Sequence, residues 1–478
     1  MNPTDLAFAS ALHQADLIRQ KQLSPLEVTT LYLDRIERLN PHLGSYFTVM
    51  GEQAIAQATA QTETLAQSDP SALPPFFGVP ISIKDLNPVA GVPCSYGNRA
   101  LLQQEAPYDD GVVMRIRGAG FVLLGKTATS ELGSFPYTEP EGLPPARNPW
   151  DLDYTPGGSS GGAAVAVAAG LCALAQGSDG GGSIRGPAAC CGIVGIKPSR
   201  GRITHAPVGD RLSGIATNGP LGRSVADAAA LLDVLSGYVT GDPYWLPNPA
   251  QPFVKTALEG AQRGAGRSLR IGFSSEIQPI GQAVAPYQQA VERVAQHLEG
   301  LGHQLIPTQL DLAGLVEPFT TVWQAGVAAA GLPPEILSPV NRWLLERSGS
   351  CASYLQAVAQ MQVIARQIVG LFESLDVLIT PVYLHSPIRV GAWADLAPEV
   401  VLEKMTQWIA FSPPFNASGQ PAIALPVGLD EQGLPIALQL VGKPGDEATI
   451  IALAAHLEAT LPTVPRQRPT ALQALEAS

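Results

Sequence analysis

Residues 78–86, GVPISIKDL, and 120–127, GFVLLGKT, are short aliphatic runs bounded by glycine, and each carries a lysine near its end. A run of four to six apolar residues between turn formers is the pattern of a buried strand rather than of an amphipathic helix. From Pro74 onward the pattern recurs, with LRIGFS at 269–274, HQLIP at 303–307 and LDVLITP at 375–381 as further strand candidates. Between them, QQAVERVAQHLEGLG at 288–302 sets Ala290, Val291, Val294, Leu298 and Leu301 at helical spacing. Strands alternating with helices predict an α/β class with a large, mainly buried sheet.

The opening 60 or so residues read as helical. In SPLEVTTLYLDRIERLN, Ser24 is the candidate N-cap, Pro25 takes the first helical position and Glu27 completes a capping box. Val28, Leu31, Tyr32, Ile36 and Leu39 then share one face. The longest apolar run, AAVAVAAGLCALA at 163–175, falls short of the roughly 18–20 residues that span a bilayer and is expected to be a buried core helix. SGYVTGDPYWLPNPAQPF at 236–253, dense in Gly and Pro, is either a domain boundary or, as preferred here, a long surface connection within one domain. The tail RQRPTALQALEAS is expected to be a surface appendage.

With 478 residues, 46% of them hydrophobic, the chain can bury a large core. A formal net charge of −12 and the lack of any basic block speak against a nucleic-acid partner. Five cysteines, none in a CxxC or zinc-type spacing, read as reduced thiols. The first residues carry no basic segment followed by an apolar one, so a cytoplasmic location is expected.

Several motifs compete for the chemistry. GFVLLGKT meets the letter of the P-loop pattern, but Phe121 to Leu124 are strand-like and cannot form a phosphate cradle, so a core strand ending at Gly125 is expected. TPGGSSGG at 155–162 formally matches a nucleophile elbow centred on Ser159 or Ser160, yet a proline-punctuated loop precedes it where an elbow needs a strand. None of the seven histidines stands in a catalytic context. Lys84, one of only seven lysines beside 22 arginines, closes an apolar strand. Desolvated, it becomes a competent general base; the competing reading pairs it with Asp85 or another carboxylate. In GSDGGGSIRGPAACCG at 177–192, Gly180, Gly181 and Gly182 precede Ser183. Three residues without Cβ let the backbone aim several N–H groups at one point, which is the construction of an oxyanion hole. Asp179 and Arg185 flank the loop and are placed to pair across it.

Lys84, the GGSSGG run and DGGGSIRGPAACCGIVGIKPSRGRI resemble the signature of the amidase signature family, and the resemblance extends from SPLEVTTLYLDRIERLNP to LPIALQLVGKPGDEAT. It implies a single α/β/α sandwich around a large twisted mixed sheet, with residues 1–478 as one domain. Within it, 1–66 form a helical region, 74–235 the catalytic core, 236–253 a surface connection, 254–463 the rest of the sheet and the pocket walls, and 464–478 a tail. Carried over, it makes Ser183 the nucleophile, Ser159 a bridging serine on a cis peptide after Gly158, and Lys84 the base. Gly180, Gly181, Gly182 and Ser183 supply oxyanion amides, with Ser160, Asp179 and Arg185 in support. The implied activity is hydrolysis of a small carboxylic amide through an acyl-enzyme, with no metal or organic cofactor and no membrane partner. A homodimer stays open. A glutaminase subunit of a tRNA-dependent amidotransferase and a non-catalytic binding descendant are the alternatives, and the small-amide and nylon-oligomer branch is preferred. Many family members carry a side chain where this chain has Gly180, so a more flexible oxyanion loop is expected. The Cys190–Cys191 pair offers a thiol alternative, disfavoured because its context reads as core. Trp323, Tyr383 and Phe415 are pocket-wall candidates, with plain core as the preferred reading of each.

Overall fold

The computed structural model describes residues 2–210, 212–462 and 468–477. Its strands, in chain order, are β1 (Tyr46–Val49), β2 (Pro80–Lys84), β3 (Val122–Thr127), β4 (Leu174–Asp179), β5 (Val194–Lys197), β6 (Thr217–Gly222) and β7 (Arg270–Phe273). They continue with β8 (Glu276–Ile277), β9 (Gly281–Gln282), β10 (Gln304–Pro307), β11 (Val377–Pro381), β12 (Ala422–Leu429) and β13 (Pro435–Gly442). Eleven of them form one mixed sheet in the order β1-β3-β2-β4-β6-β5-β12-β13-β11-β7-β10, and β8 pairs with β9 alone. The strand candidates of the sequence all lie in this sheet. Every residue of β2, β3, β11 and β13 is buried, so both pleat faces are covered, as an α/β sandwich requires. Strands from both sides of the 236–253 segment share the sheet, and that segment runs mostly exposed.

The capping box is present. Ser24 caps the Pro25–Leu43 helix and exchanges hydrogen bonds with Glu27, while Val28, Tyr32, Ile36 and Leu39 are buried. Three expectations are corrected. The strand in 120–127 does not stop at Gly125 but continues to Thr127, because β1 pairs against it; a Cβ on Gly125 would lie 2.3 Å from the Thr48 carbonyl oxygen. The 163–175 run is not one helix. A helix at Gly161–Ala168 stops where Gly170 takes a φ of +63°, and the chain then enters β4. The tail is no loose appendage over its described residues: the Thr470–Ala477 helix buries Leu472 fully, and Glu476 pairs with Arg35 at 2.6 Å. Residues 466, 467 and 478 of that tail lie outside the described residues. Among the described residues no helix is long and apolar enough to cross a membrane.

The sheet places the site through two neighbouring strands. β2 and β4 run parallel, with Ile83 opposite Gln176, so both deliver their C-terminal ends to the same edge. Lys84 ends β2 there, and Asp179 ends β4 just before the triple glycine. The C-terminal ends of parallel strands are where α/β sheets build their sites, because the connecting loops diverge and leave a crevice.

Candidate active site

Lys84 is fully buried, and its Nζ donates to Ser159 Oγ at 2.7 Å, to Ser178 Oγ at 3.1 Å and to the Ser178 carbonyl oxygen at 3.3 Å. Burial brings its pKa down to about 7, against the upward pull of the Asp179 carboxylate. The competing pairing with Asp85 is not formed. Asp85 turns to Lys126, Nζ to Oδ1 at 2.8 Å, and to the Ser95 hydroxyl, and this buried pair braces the turn after β2. Because both ions are out of water, Asp85→Asn would leave Lys126 uncompensated and is expected to destabilise the fold by about 3–5 kcal/mol, read as a lower urea midpoint.

The serine pair sits in a glycine frame because there is no room for side chains beside it. A Cβ on Gly158 would lie 2.5 Å from the Tyr137 backbone nitrogen, and the Gly158–Ser159 peptide is cis. Ser160 stitches neighbouring segments together. Its N–H donates to the Ser183 carbonyl oxygen at 3.2 Å, its hydroxyl donates to the Ser178 carbonyl oxygen at 3.2 Å, and it accepts from Ser178 N–H at 3.3 Å.

The loop after β4 is tied down by a buried ion pair. Arg185 Nη2 and Nε each reach the Asp179 carboxylate at 3.0 Å, and neither side chain is exposed. Burial opposes the charge on Asp179, yet the Arg185 guanidinium holds its carboxyl well below the usual range. Asp179 also accepts the N–H groups of Gly182 at 2.7 Å and Ile184 at 3.2 Å. Arg185 is held in turn by Asn416 Oδ1 at 2.6 Å and by Gln439 Oε1 and the Ser412 carbonyl oxygen, both at 3.0 Å. The loop is therefore braced rather than slack. Opposite the missing side chain of Gly180 stands an indole, since a Cβ there would lie 3.1 Å from Trp323 Cζ3. The Gly182 N–H, one of the four amides expected to face an oxyanion, donates to Asp179.

Gly158, Gly181, Gly182 and Ser183 line one wall of a cavity that encloses about 890 Å³, counting its open mouth. The opposite walls come from Ile277, Leu315, Phe319, Trp323, Tyr383 and Met405, among others. Of the described residues that line it, none carries a charge. Trp323 and Tyr383 line the cavity, against the preferred reading of them as plain core; Phe415 is packed in the core and is not part of the wall. Burial pushes the thiols of Cys190 and Cys191 up, away from the reactive thiolate. Gln176, Ser178, Asn416 and Gln439 hold the site but carry no chemical motif of their own; Asn416 and Gln439 lie in stretches, FNAS and LPIALQL, that the family resemblance includes. No group of three or more His, Cys, Asp or Glu side chains suited to a metal ion occurs among the described residues.

A family model described as Amidase matches residues 27–451, and the chain belongs to that family. A Synechocystis sp. protein named "Putative amidase" is 53% identical, over 98% of this chain and 91% of its own. The 6-aminohexanoate-cyclic-dimer hydrolase of Paenarthrobacter ureafaciens is 34% identical over 98% of this chain and 97% of its own. A solved structure of 6-aminohexanoate cyclic dimer hydrolase complexed with substrate superposes with a TM-score of 0.89, at 30% identity, over 98% of this chain and 99% of that one. The protein is a hydrolase of amide C–N bonds.

Proposed function

We propose that the protein hydrolyses small carboxylic amides with an apolar acyl group, through an acyl-enzyme on Ser183 with Ser159 and Lys84 as its proton relay. The observation that carries this reading is the 2.7 Å hydrogen bond between Lys84 Nζ and Ser159 Oγ, beside a cavity that has Ser183 in its wall. Neutral Lys84 takes a proton from Ser159 as Ser159 takes one from Ser183, and Ser183 Oγ bonds to the amide carbon. The negative oxygen is met by backbone amides of the 180–183 loop, of which Gly181, Gly182 and Ser183 line the cavity. The C–N bond breaks as the proton returns through Ser159 to the leaving nitrogen. Water then adds to the ester by the same relay, giving carboxylate and free serine. The same reading treats the chain as one domain, supported by a sheet that draws on both sides of residues 236–253.

Treatment with a fluorophosphonate followed by peptide mass spectrometry tests the assignment. A single adduct on Ser183 is expected; an adduct on Ser159 or Ser160 would overturn it. The glutaminase alternative is disfavoured by the cavity wall, which offers no charged partner for the ammonium and carboxylate of glutamine. Accordingly, hexanamide is expected to be hydrolysed at least about a hundredfold faster, by kcat/KM, than glutamine.

A further inference from the structure

Three cavities meet around the lysine and serines. Beside the one that holds Ser183 lies an apolar neck walled by Leu86, Leu132, Val327 and Ala330, which shares Ser134 and Trp323 with it. Beyond the neck, across Leu86, Tyr96 and Leu212, lies a third space of different character, bounded by Asn87, Tyr108, Asp110, Ser178, His205 and Asn218. Their positions relative to the reacting groups follow from short distances. Ser178, in the wall of the polar space, accepts from Lys84 Nζ at 3.1 Å. A Cβ on Gly133 would lie 2.8 Å from Leu86 Cδ1 and 3.3 Å from Ser159 Oγ, so the neck abuts the bridging serine. Trp323, stacked on Phe319 with ring centroids 5.9 Å apart, stands as the partition between acyl cavity and neck.

An amide with its carbon at Ser183 and its oxygen at the glycine loop lays its acyl chain in the apolar cavity. Its nitrogen then faces Ser159 and Lys84, because that pair must hand it a proton. Whatever the nitrogen carries is aimed at the neck. We propose that neck and polar space together receive the amine half of a secondary amide, and that they select amines with a short apolar segment ending in a hydrogen-bond donor. The inference rests on the amidase reading of Ser183. The neck supplies the apolar contact. Asp110 supplies the acceptor: Val112 N–H and Asn87 Nδ2 occupy only two of its carboxylate positions, which leaves capacity for a ligand. The buried Gln176 amide, which donates to both Asn87 and Asn218 at 2.9 Å, keeps that wall in place.

The test uses one acyl group and three amines: hexanamide, N-pentylhexanamide and N-(4-hydroxybutyl)hexanamide, the last two nearly equal in length. The wild type is expected to favour the hydroxybutyl over the pentyl compound about fivefold or more in kcat/KM. Ala330→Phe, filling the neck from a half-buried position at a helix end, is expected to lower kcat/KM for both substituted amides at least about tenfold relative to hexanamide. Asp110→Asn, which keeps an oxygen for Val112 N–H but turns the other carboxylate oxygen into a donor, is expected to bring the hydroxybutyl preference close to one and so serves as a second variant. Equal losses on all three substrates with Ala330→Phe, or no hydroxybutyl preference in the wild type, would overturn the proposal. An enzyme labelled at Ser183 that hydrolyses hexanamide but neither substituted amide overturns the amine site alone. One that is neither labelled nor active on hexanamide overturns the amidase reading itself.

Discussion

Ser183→Ala is expected to lower kcat/KM on any amide substrate by about four to six orders of magnitude, since the groups of a nucleophile relay act as a unit and removing the attacker forfeits nearly all of their effect. The loss is expected without a matching loss of fold. Ser183 lies in the cavity wall, and its carbonyl oxygen, which accepts from Ser160 N–H, survives the substitution. The loop stays tied through Asp179 to Gly182 and Arg185. A urea midpoint equivalent to within about 0.5 kcal/mol of the parent, together with lost fluorophosphonate labelling, is the expected pair of results. A variant retaining more than about a tenth of its activity would return the nucleophile to Ser159 or Ser160.

The second large effect belongs to Lys84. Only its neutral form accepts a proton, and burial places its pKa at about 7, so kcat/KM is expected to rise with pH through about 7 and level off above it. Lys84→Met is expected to remove that limb and about three or more orders of magnitude of activity. It is also expected to stabilise the protein. In the unfolded chain this lysine titrates near its ordinary 10.5, whereas in the folded chain it does so at about 7. Between those values the unfolded state holds a proton that the folded state lacks, so stability falls as the pH drops from 10.5 toward 7 and stays low below that. The methionine carries no such penalty. Its loss of the bonds to Ser159 and Ser178 offsets part of the gain, which leaves about 1–3 kcal/mol at pH 7. Urea midpoints at pH 7 and pH 10 check this: the advantage of the methionine is expected to shrink at the higher pH. An advantage that stayed constant or grew would contradict the depressed lysine.

Elements whose cause is local were legible in the chain. The capping box at Ser24 needs only Glu27, three residues away, and the helix follows. The aliphatic runs of β2, β3 and β11 are buried on both faces, and continuous apolar sequence is what such burial demands. β6 gave no such sign. Its sequence, TNGPLG, reads as a turn, yet it lies between β4 and β5 with Pro220 opposite Gln176. Gly219 is there because a Cβ would come 2.3 Å from the Ile196 carbonyl oxygen, a contact that exists only once β5 is in place. The Thr470–Ala477 helix likewise depends on distant partners, since it is held by Leu472 in the core and by Arg35, far away in sequence.

By itself, then, the sequence determined the α/β class, the helix caps, the lysine closing a buried strand and the glycine triplet before Ser183, each written within a few consecutive residues. Only the tertiary structure decided which carboxylate Lys84 would be denied, as Asp85 went to Lys126 instead. It alone engaged the Gly182 amide with Asp179 and set Trp323 over Gly180. It alone drew the walls of an uncharged acyl cavity from segments as distant as Ser134 and Pro414. The reason is physical: propensities and caps act over one or two turns of chain, whereas a buried charge takes whichever partner the packed core brings within about 3 Å, and packing is a property of the whole fold.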